Sequence, residues 1–299
     1  MDEPVRQTIP EAATTSGRQP KTIELSAGPI DYVDTGGNGP TVVLLHGVLM
    51  NHTVWRDVIA ELAPAFRCIA PTLPLGAHRQ PMHIGADLSI DGIALLVAEF
   101  LERLDLRDVT LIMNDWGGPQ LLIYHNRTER IGRLVLVACE AFENFPPGVP
   151  GSRLAKLAAT PGGFGLQSLL MRSAAVRRSV AATLAKHPVP DEMLRDWFSP
   201  FIRDREVRQD LRSYCLSVPL DSGRNWSAAL ARFDKPALVV WAPEDQMMPP
   251  THGRQLADLL PDGQLVEIAD SYTVIPLDQP QQLADDVRTF ITSTADRPR

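Results

Sequence analysis

One segment of the sequence combines a reactive carboxyl with a backbone pattern that would present it. Residues 109–118 read VTLIMNDWGG, in which an apolar run predicts a strand and the paired glycines predict a sharp turn into a helix that opens at Gly117. A turn of this kind lifts its central side chain, here that of Asp115, clear of the sheet. A carboxylate in that position can attack a saturated carbon that bears a leaving group, with formation of an ester on the protein. Met113 stands where this pattern usually has glycine, and an aspartate that only caps the helix is the alternative interpretation.

Several segments together resemble a known family. The elbow Asn114-Asp115-Trp116-Gly117-Gly118 and the His46-Gly47 pair after the apolar run at 41–45 are similar to α/β-hydrolases. The aspartate at the elbow is typical of the branch that contains haloalkane dehalogenases and epoxide hydrolases. The spacing from His46 to Trp55-Arg56 also matches, and the resemblance covers about residues 21–295. It implies an α/β-hydrolase fold, with a mostly parallel eight-stranded sheet, helices on both faces and an inserted helical cap.

The resemblance assigns roles to residues around the elbow. The backbone N–H groups of Val48 and Trp116 are expected to form an oxyanion hole, because two such donors beside Asp115 would stabilise developing negative charge. The segment APED at 242–245 is similar to the family's acid loop, which assigns Asp245 as the supporting acid. Glu140 follows the sixth predicted strand, where some dehalogenases carry an alternative acid, so both acids remain open.

The last loop departs from the family pattern. Relatives carry an Asp-Ser-Gly-His-type loop before a proline and the final helix, whereas residues 270–276 read DSYTVIP. Thr273 therefore stands where the catalytic histidine is expected, and no histidine follows His252. A threonine hydroxyl is not a base near neutral pH, and a general base contributes about 10²–10⁴ to the rate of such a step. An ester on Asp115 is therefore expected to persist, and ordinary hydrolytic turnover is not expected.

Seven residues are predicted to contact the substrate: His46, Asn51, His52, Trp116, Tyr214, Tyr272 and Thr273. By resemblance to dehalogenases, the Trp116 indole would donate to a leaving halide. Val48 stands where the second donor is usually Asn, and Asn51 lies three residues further on. By resemblance to epoxide hydrolases, Tyr214 from the cap and Tyr272 from the loop side would protonate an epoxide oxygen. Packing beneath the cap is the alternative for both tyrosines.

Alternating short strands and longer helical patterns are expected to position these groups. Strands are predicted at 21–25, 30–33, 41–45, 68–70, 109–113, 134–137, 237–241 and 266–268, with the first two as a hairpin. Helices are predicted at 53–63, 90–104, 117–126, 252–260 and 280–292. The order of the elements predicts a parallel sheet that binds its ligand at the carboxyl ends of the strands.

The predicted domain organisation has three parts. Residues 1–20 lack a periodic apolar pattern and are interpreted as a mobile tail, whereas 21–144 and 226–299 form the core domain. Residues 145–225 form the predicted helical cap, which holds 12 Lys+Arg against 7 Asp+Glu in a chain of net charge −7. These cations either solvate helix faces or favour an anionic or polarised substrate.

Composition excludes several classes of protein. The acidic net charge of −7 argues against a nucleic-acid partner, and no run of 18 apolar residues predicts a membrane span. Three widely spaced cysteines, at 68, 139 and 215, form neither a zinc pattern nor a disulfide framework and suit a reducing cytoplasm. The start MDEPVRQTIP is not a signal-peptide pattern. No metal or organic cofactor is expected, and a cytoplasmic monomer or homodimer that acts on a small molecule is predicted.

Three hypotheses about function follow. The first is an enzyme like the epoxide hydrolases and dehalogenases, with Asp115 at the nucleophile position and support from Asp245 or Glu140. The second is a non-hydrolytic enzyme, such as a cyclase, isomerase, lyase or carbon–carbon bond former, with Asp115 as the acid–base group; the missing base fits this hypothesis, because water chemistry is then excluded. The third is an inactive ligand-binding protein, for which a retained carboxyl at the elbow has no purpose.

Overall fold

A computed structural model describes residues 20–217 and 223–295. The predicted tail at 1–20 therefore lies outside the described residues, apart from Pro20. The eight strands in the described residues are β1 (Lys21–Leu25), β2 (Gly28–Asp34), β3 (Thr41–Leu45), β4 (Arg67–Pro71), β5 (Val109–Asp115), β6 (Ile131–Cys139), β7 (Ala237–Trp241) and β8 (Gly263–Glu267). Strands β1, β3 and β7 coincide with their predicted ranges, and β6 is longer than predicted at both ends.

The strands form one sheet in the order β1-β2-β4-β3-β5-β6-β7-β8. Strands β1 and β2 form the predicted antiparallel hairpin, and β2 also pairs antiparallel with β4. The remaining neighbours pair in parallel, so β3, β5, β6 and β7 all end at the same edge of the sheet. Strands β5 and β7 are buried along their whole length because helices cover both faces of the sheet. The predicted α/β-hydrolase fold is confirmed.

Twelve α-helices lie in the described residues: α1 (Arg56–Leu62), α2 (Ile90–Arg103), α3 (Pro119–Tyr124), α4 (Gly148–Ala159), α5 (Gly163–Leu170), α6 (Ala174–Ala181), α7 (Asp191–Arg203), α8 (Arg205–Ser217), α9 (Gly223–Ala229), α10 (Pro250–Leu259), α11 (Ile275–Asp278) and α12 (Pro280–Thr294). Helix α3 begins two residues later than predicted, because Gly117 and Gly118 form the turn and Pro119 takes the first helical position. The helix predicted at 53–63 is divided into a 3-10 turn, His52–Trp55, and α1.

Helices α4–α9 lie between β6 and β7 in the chain, and we call them the inserted helices. Helices α4 and α7 each begin directly after a proline, Pro147 and Pro190, whose φ suits the start of a helix. Helix α7 buries Leu194, Trp197 and Phe198 on one face. The segment is helical despite its many prolines because most of them lie between helices; Pro150 lies in the first turn of α4, where a proline is tolerated, and Pro200 lies inside α7.

Candidate active site

The elbow after β5 holds Asp115 in a backbone conformation that few residues adopt. Its φ is +65°, in the left-handed region, where an aspartate is tolerated because its short polar side chain bonds locally. A Cβ on Gly118 would lie 2.0 Å from the Trp116 ring, and one on Gly117 would lie 2.8 Å from the Glu140 carbonyl. The two glycines are therefore required by the close approach of the turn to its neighbours, as the sequence pattern predicted.

The loop after β3 delivers a hydrogen-bond donor to Asp115. The backbone N–H of Val48 donates to Asp115 Oδ2 at 3.1 Å. A Cβ on Gly47 would lie only 2.0 Å from the same carboxylate oxygen, so any larger residue would displace this loop. Glycine is therefore required at position 47, because it allows the loop to approach the Asp115 carboxyl.

The second predicted oxyanion-hole donor, the backbone N–H of Trp116, does not point at Asp115. The backbone N–H of Trp116 donates to Asn114 O at 2.8 Å, across the turn itself. The prediction that Val48 and Trp116 both point at one spot beside Asp115 is therefore corrected for Trp116, because the tight turn engages its amide locally. The Trp116 indole is buried, and its Nε1 has no hydrogen-bond partner among the described residues. This N–H lies near the Tyr214 hydroxyl and favours its ionised form, although the contact does not meet hydrogen-bond geometry.

Two carboxyl groups meet at this edge of the sheet in an apolar setting. Burial raises the pKa of Asp115 to about 7, the Val48 N–H opposes this rise, and the charge of Asp245 adds to it. Burial also raises the pKa of Glu140 well above its ordinary value, and the neighbouring charge of Asp115 contributes. Glu140 Oε2 accepts the Gly117 N–H at 3.1 Å, so this carboxyl is fastened to the elbow. Burial therefore favours the protonated form of Glu140, and it lies beside an Asp115 that exchanges its proton near pH 7.

The position of the expected histidine has a defined structural role. Thr273 is fully buried, and its hydroxyl donates to Asp245 Oδ1 at 2.9 Å. The same oxygen accepts the backbone N–H groups of Met247 and Met248, at 2.8 and 3.1 Å. Asp245 Oδ2 is buried and has no hydrogen-bond partner in the described chain. Burial raises the pKa of Asp245, and the three donors oppose the rise. Thr273 therefore bonds to the acid as a histidine would, but supplies no base.

A cavity of about 460 Å³ lies between the elbow and the inserted helices. Its floor includes Val48, Asp115 and Glu140, and its walls include Tyr214 from α8. The apolar part of the lining comes mainly from α4–α7, with Leu154, Leu157, Leu170, Met171, Val176, Val180, Leu184, Leu194, Trp197 and Phe198. No histidine lines this cavity within residues 20–217 and 223–295. The space suits a small, mostly apolar molecule with its reacting atom at the two carboxyls.

Several residues predicted to bind substrate lie away from this cavity. His46 is buried beneath the loop, where its Nε2 accepts the Leu73 N–H at 2.8 Å and burial lowers its pKa to about 3. His52 bonds to Thr72 Oγ1 at 2.8 Å, and burial lowers its pKa to about 4. These histidines are satisfied core residues, which corrects the predicted substrate contacts.

Asn51 and Tyr272 are corrected in the same way. Asn51 Oδ1 caps the turn that follows it, and its Nδ2 donates to Asp196 of α7 at 2.7 Å. The Tyr272 hydroxyl accepts from Gln246 Nε2 at 2.8 Å on the exposed side of the loop, so the phenol does not reach the cavity. Among the described residues, Tyr214 is the one predicted substrate contact that lines the cavity, and neither Trp116 nor Thr273 does so.

Sequence reasoning missed the polar residues that the inserted helices contribute. Arg153 on α4 and Gln167 on α5 both line the cavity, and Gln167 Oε1 is a buried acceptor with no partner among the described residues. No motif marks either residue. The one signal in the sequence was the excess of cations in this segment, which did not single out one position.

An Asp-bearing elbow at the carboxyl ends of a parallel sheet, beneath inserted helices, defines a protein of the α/β-hydrolase type. The pattern that describes the α/β-hydrolase fold matches residues 40–280, and the chain belongs to this family. A haloalkane dehalogenase of Mesorhizobium japonicum is 31% identical over 195 residues, which cover 62% of this chain and 60% of that protein's length. The aligned region is thus less than two thirds of that relative.

Two further comparisons extend over nearly the whole chain. A cis-3-alkyl-4-alkyloxetan-2-one decarboxylase of Shewanella oneidensis is 25% identical over 279 residues, covering 89% of this chain and 86% of the relative. The crystal structure of the haloalkane dehalogenase DbeA from Bradyrhizobium elkani superposes with a TM-score of 0.76 at 18% identity, covering 93% of this chain and 98% of that structure. The structural match shows the shared fold.

Within residues 20–217 and 223–295, no helix is long and apolar enough to cross a membrane. Across the same ranges, no group of three His, Cys, Asp or Glu side chains is arranged to hold a metal ion.

The raised pKa of Asp115 predicts a pH-dependent effect on stability. Its pKa rises from 3.8 to about 7 on folding, so the native state holds a proton that the unfolded chain releases between these values. The free energy of unfolding therefore falls as pH rises from about 4 to about 7. We expect Asp115→Asn to be more stable than the native protein at about pH 8, by at most about 4 kcal/mol, with little difference below about pH 4.

Thermal unfolding of both proteins across this pH range measures the effect. Asp258→Asn, an exposed carboxyl on α10, is the matched control and is expected to show no such trend. A native protein that is as stable as Asp115→Asn at every pH would contradict the raised pKa.

Proposed function

We propose that this protein catalyses a non-hydrolytic conversion of a small, mostly apolar molecule, with Asp115 as the acid–base group. The observation that carries the proposal is the state of position 273. Thr273 is buried against Asp245 and supplies no base, while Asp115 faces the cavity with its pKa near 7. A carboxyl whose pKa lies near the working pH suits proton transfer, because both of its forms are populated.

The surroundings of Asp115 support this role. The cavity is lined by aliphatic and aromatic side chains, which exclude water and strengthen a carboxylate as a base. Glu140 and Tyr214 line the same cavity, and burial raises the pKa of both, which favours the protonated form that can donate a proton. The Shewanella relative is named as a decarboxylase rather than a hydrolase, and its substrate name specifies two alkyl groups. The same scaffold is thus associated with a reaction that does not add water.

Elimination of nitrobenzisoxazole tests the acid–base role without knowledge of the natural substrate. A base removes the ring C–H proton, the N–O bond breaks, and a coloured cyanonitrophenolate is released, so no water is consumed. The rate is expected to rise with pH and to reach half its maximum near pH 7, because the ionised form of Asp115 is the base. Asp245→Asn is expected to shift this midpoint to lower pH, since the charge of Asp245 raises the pKa of Asp115.

The profile also has outcomes that contradict the proposal. A midpoint near the ordinary carboxyl value, as for free acetate, would mean that Asp115 is not tuned by its site. No rate above that of acetate at equal concentration would mean that this carboxyl does not act as a base in the cavity.

Covalent catalysis by Asp115 is the second candidate. It is favoured by the φ of +65° at the elbow and by the Val48 N–H on the carboxylate, which together present Asp115 as a nucleophile. The carboxylate would attack a ring carbon of an epoxide, the C–O bond would break, and the alkoxide would take a proton from Tyr214 or solvent. Exposure to styrene oxide, followed by intact-mass measurement and peptide mapping, detects the resulting ester on Asp115. If no adduct forms, the covalent candidate is wrong and the acid–base role remains.

A further inference from the structure

The segment from 144 to 190 contains six Lys or Arg residues and no Asp or Glu. It covers α4, α5 and α6, which supply much of the cavity wall. The cations are Arg153, Lys156, Arg172, Arg177, Arg178 and Lys186. In a chain with a net charge of −7, this is a distinctly electropositive region next to the candidate active site.

Three of these six cations form hydrogen bonds or ion pairs with other residues of the fold. The Arg177 guanidinium donates to the carbonyls of Met171 and Arg172, at 2.6 and 2.9 Å, and holds the turn before α6. Arg178 pairs with Asp191 at the start of α7. Lys186 joins the inserted helices to the core through Asp270, at 2.9 Å, and Glu244. These three have structural partners and are not free to bind a ligand.

The other three, Arg153, Lys156 and Arg172, are exposed, and their side chains have no ion pair or hydrogen bond with a described residue. Only one of them lines the cavity. Arg153 is in fact the single Lys or Arg among all the lining residues of the described chain. Lys156, one turn further along α4, does not line it. The two neighbours therefore differ in access to the cavity while sharing helix, charge and exposure.

We propose that Arg153 binds a carboxylate on the substrate, and that the substrate is an apolar chain or ring with one anionic end. A guanidinium matches the planar carboxylate with two parallel N–H donors. The aliphatic lining beyond Arg153, including Leu154 and Leu157 of the same helix, takes the apolar part. This assignment rests on the proposed function in one respect: the apolar end of the substrate is taken to be the end that reacts at Asp115.

The orientation of the substrate follows from the charges at the two sides of the cavity. Asp115 and Glu140 come from the sheet edge, whereas Arg153 comes from the inserted helices. An anionic group placed against Asp115 would be repelled by its ionised form and buried without a cationic partner, whereas at Arg153 it is paired and remains partly hydrated. The carboxylate therefore stays at the exposed side, and the apolar end extends toward Asp115.

Binding of decanoate and decanol, measured by calorimetry on the full chain, tests this assignment. Native protein is expected to bind decanoate, and Arg153→Gln to bind it about tenfold more weakly, the loss of one charge-assisted interaction. Binding of decanol is expected to be unchanged by Arg153→Gln. Arg153→Lys is expected to retain most of the affinity for decanoate, and the matched control Lys156→Gln is expected to retain all of it.

Three outcomes would overturn the assignment: no binding of decanoate to the native protein, equal weakening by Lys156→Gln, or equal weakening of decanol by Arg153→Gln. The measurement is repeated in Asp115→Asn, which separates recognition from chemistry. If decanoate selectivity depends on Arg153 but nitrobenzisoxazole is not converted, the proposed chemistry fails and the recognition site stands. If elimination proceeds and Arg153→Gln changes nothing, the recognition site fails alone.

Discussion

Asp115→Asn is expected to slow the elimination of nitrobenzisoxazole by about 10²–10⁴-fold at about pH 8. The amide cannot take up a proton, so the base that the proposal assigns to this reaction is lost. The backbone need not change, because Asn also tolerates the φ of +65° found at this position. Its side-chain oxygen can still accept the Val48 N–H, which donates to Asp115 Oδ2 in the native site.

Initial rates followed by product absorbance, with Asp258→Asn as the matched control on an exposed helix, measure this loss. Far-ultraviolet circular dichroism and Tm establish that the variant is folded, and a higher Tm at alkaline pH is expected. A folded Asp115→Asn protein with native activity would mean that the reaction occurs elsewhere on the molecule, and it would contradict the proposed role of Asp115.

If Asp115 forms an ester with an epoxide, as the covalent candidate requires, Thr273→His is expected to convert that persistent ester into hydrolytic turnover. Asp245 Oδ1 already accepts a hydrogen bond from position 273 at 2.9 Å, and its buried Oδ2 lacks a partner among the described residues. An imidazole N–H at 273 would bond to this carboxyl. The charge of Asp245 raises the pKa of Asp115, so the two carboxyls are close enough to interact electrostatically.

With styrene oxide, the native protein is expected to keep the ester, whereas Thr273→His is expected to release diol over many equivalents. The gain in ester hydrolysis is about 10²–10⁴-fold, the usual contribution of a general base. Thr273→Asn is the control, because it keeps a donor for Asp245 but supplies no base, and its ester is expected to persist. The larger side chains cost about 1–3 kcal/mol of stability at a fully buried site, so Tm is measured for both.

A folded Thr273→His protein that forms the ester and never clears it would contradict this expectation. It would mean that a histidine at position 273 is not sufficient, and that other residues around Asp245 also prevent hydrolysis of the ester. Rapid hydrolysis by the native protein would instead reveal a base that the described residues do not present to the cavity.

Much of the architecture was predictable because it depends on local patterns. The runs at 41–45 and 237–241 are continuous and apolar, and both form strands buried between layers of helices, β3 and β7. The pair of glycines after Asp115 predicted a turn, and the φ of +65° at Asp115 shows how sharp it is. These features involve neighbours in the chain, so periodicity and turn chemistry are sufficient to predict them.

The sequence alone left two candidate acids, and the fold distinguishes them. Asp245 and Thr273 lie 28 residues apart, and only the fold brings the hydroxyl to the carboxylate. Glu140 instead bonds to the Gly117 N–H and faces the cavity with Asp115. The two acids thus have different surroundings, although both follow strands that end at the same sheet edge.

The sequence by itself determined the α/β-hydrolase fold, the presence of Asp115 at the elbow and the absence of a histidine in the last loop. Only the tertiary structure decided that the Trp116 amide turns to Asn114, that Tyr272 bonds to Gln246 and that Arg153 lines the cavity. The physical reason is that strands and turns follow from residues near one another in the chain. The direction of a side chain at the site is set by packing between distant elements, here the sheet edge and the inserted helices, which carry no local signal.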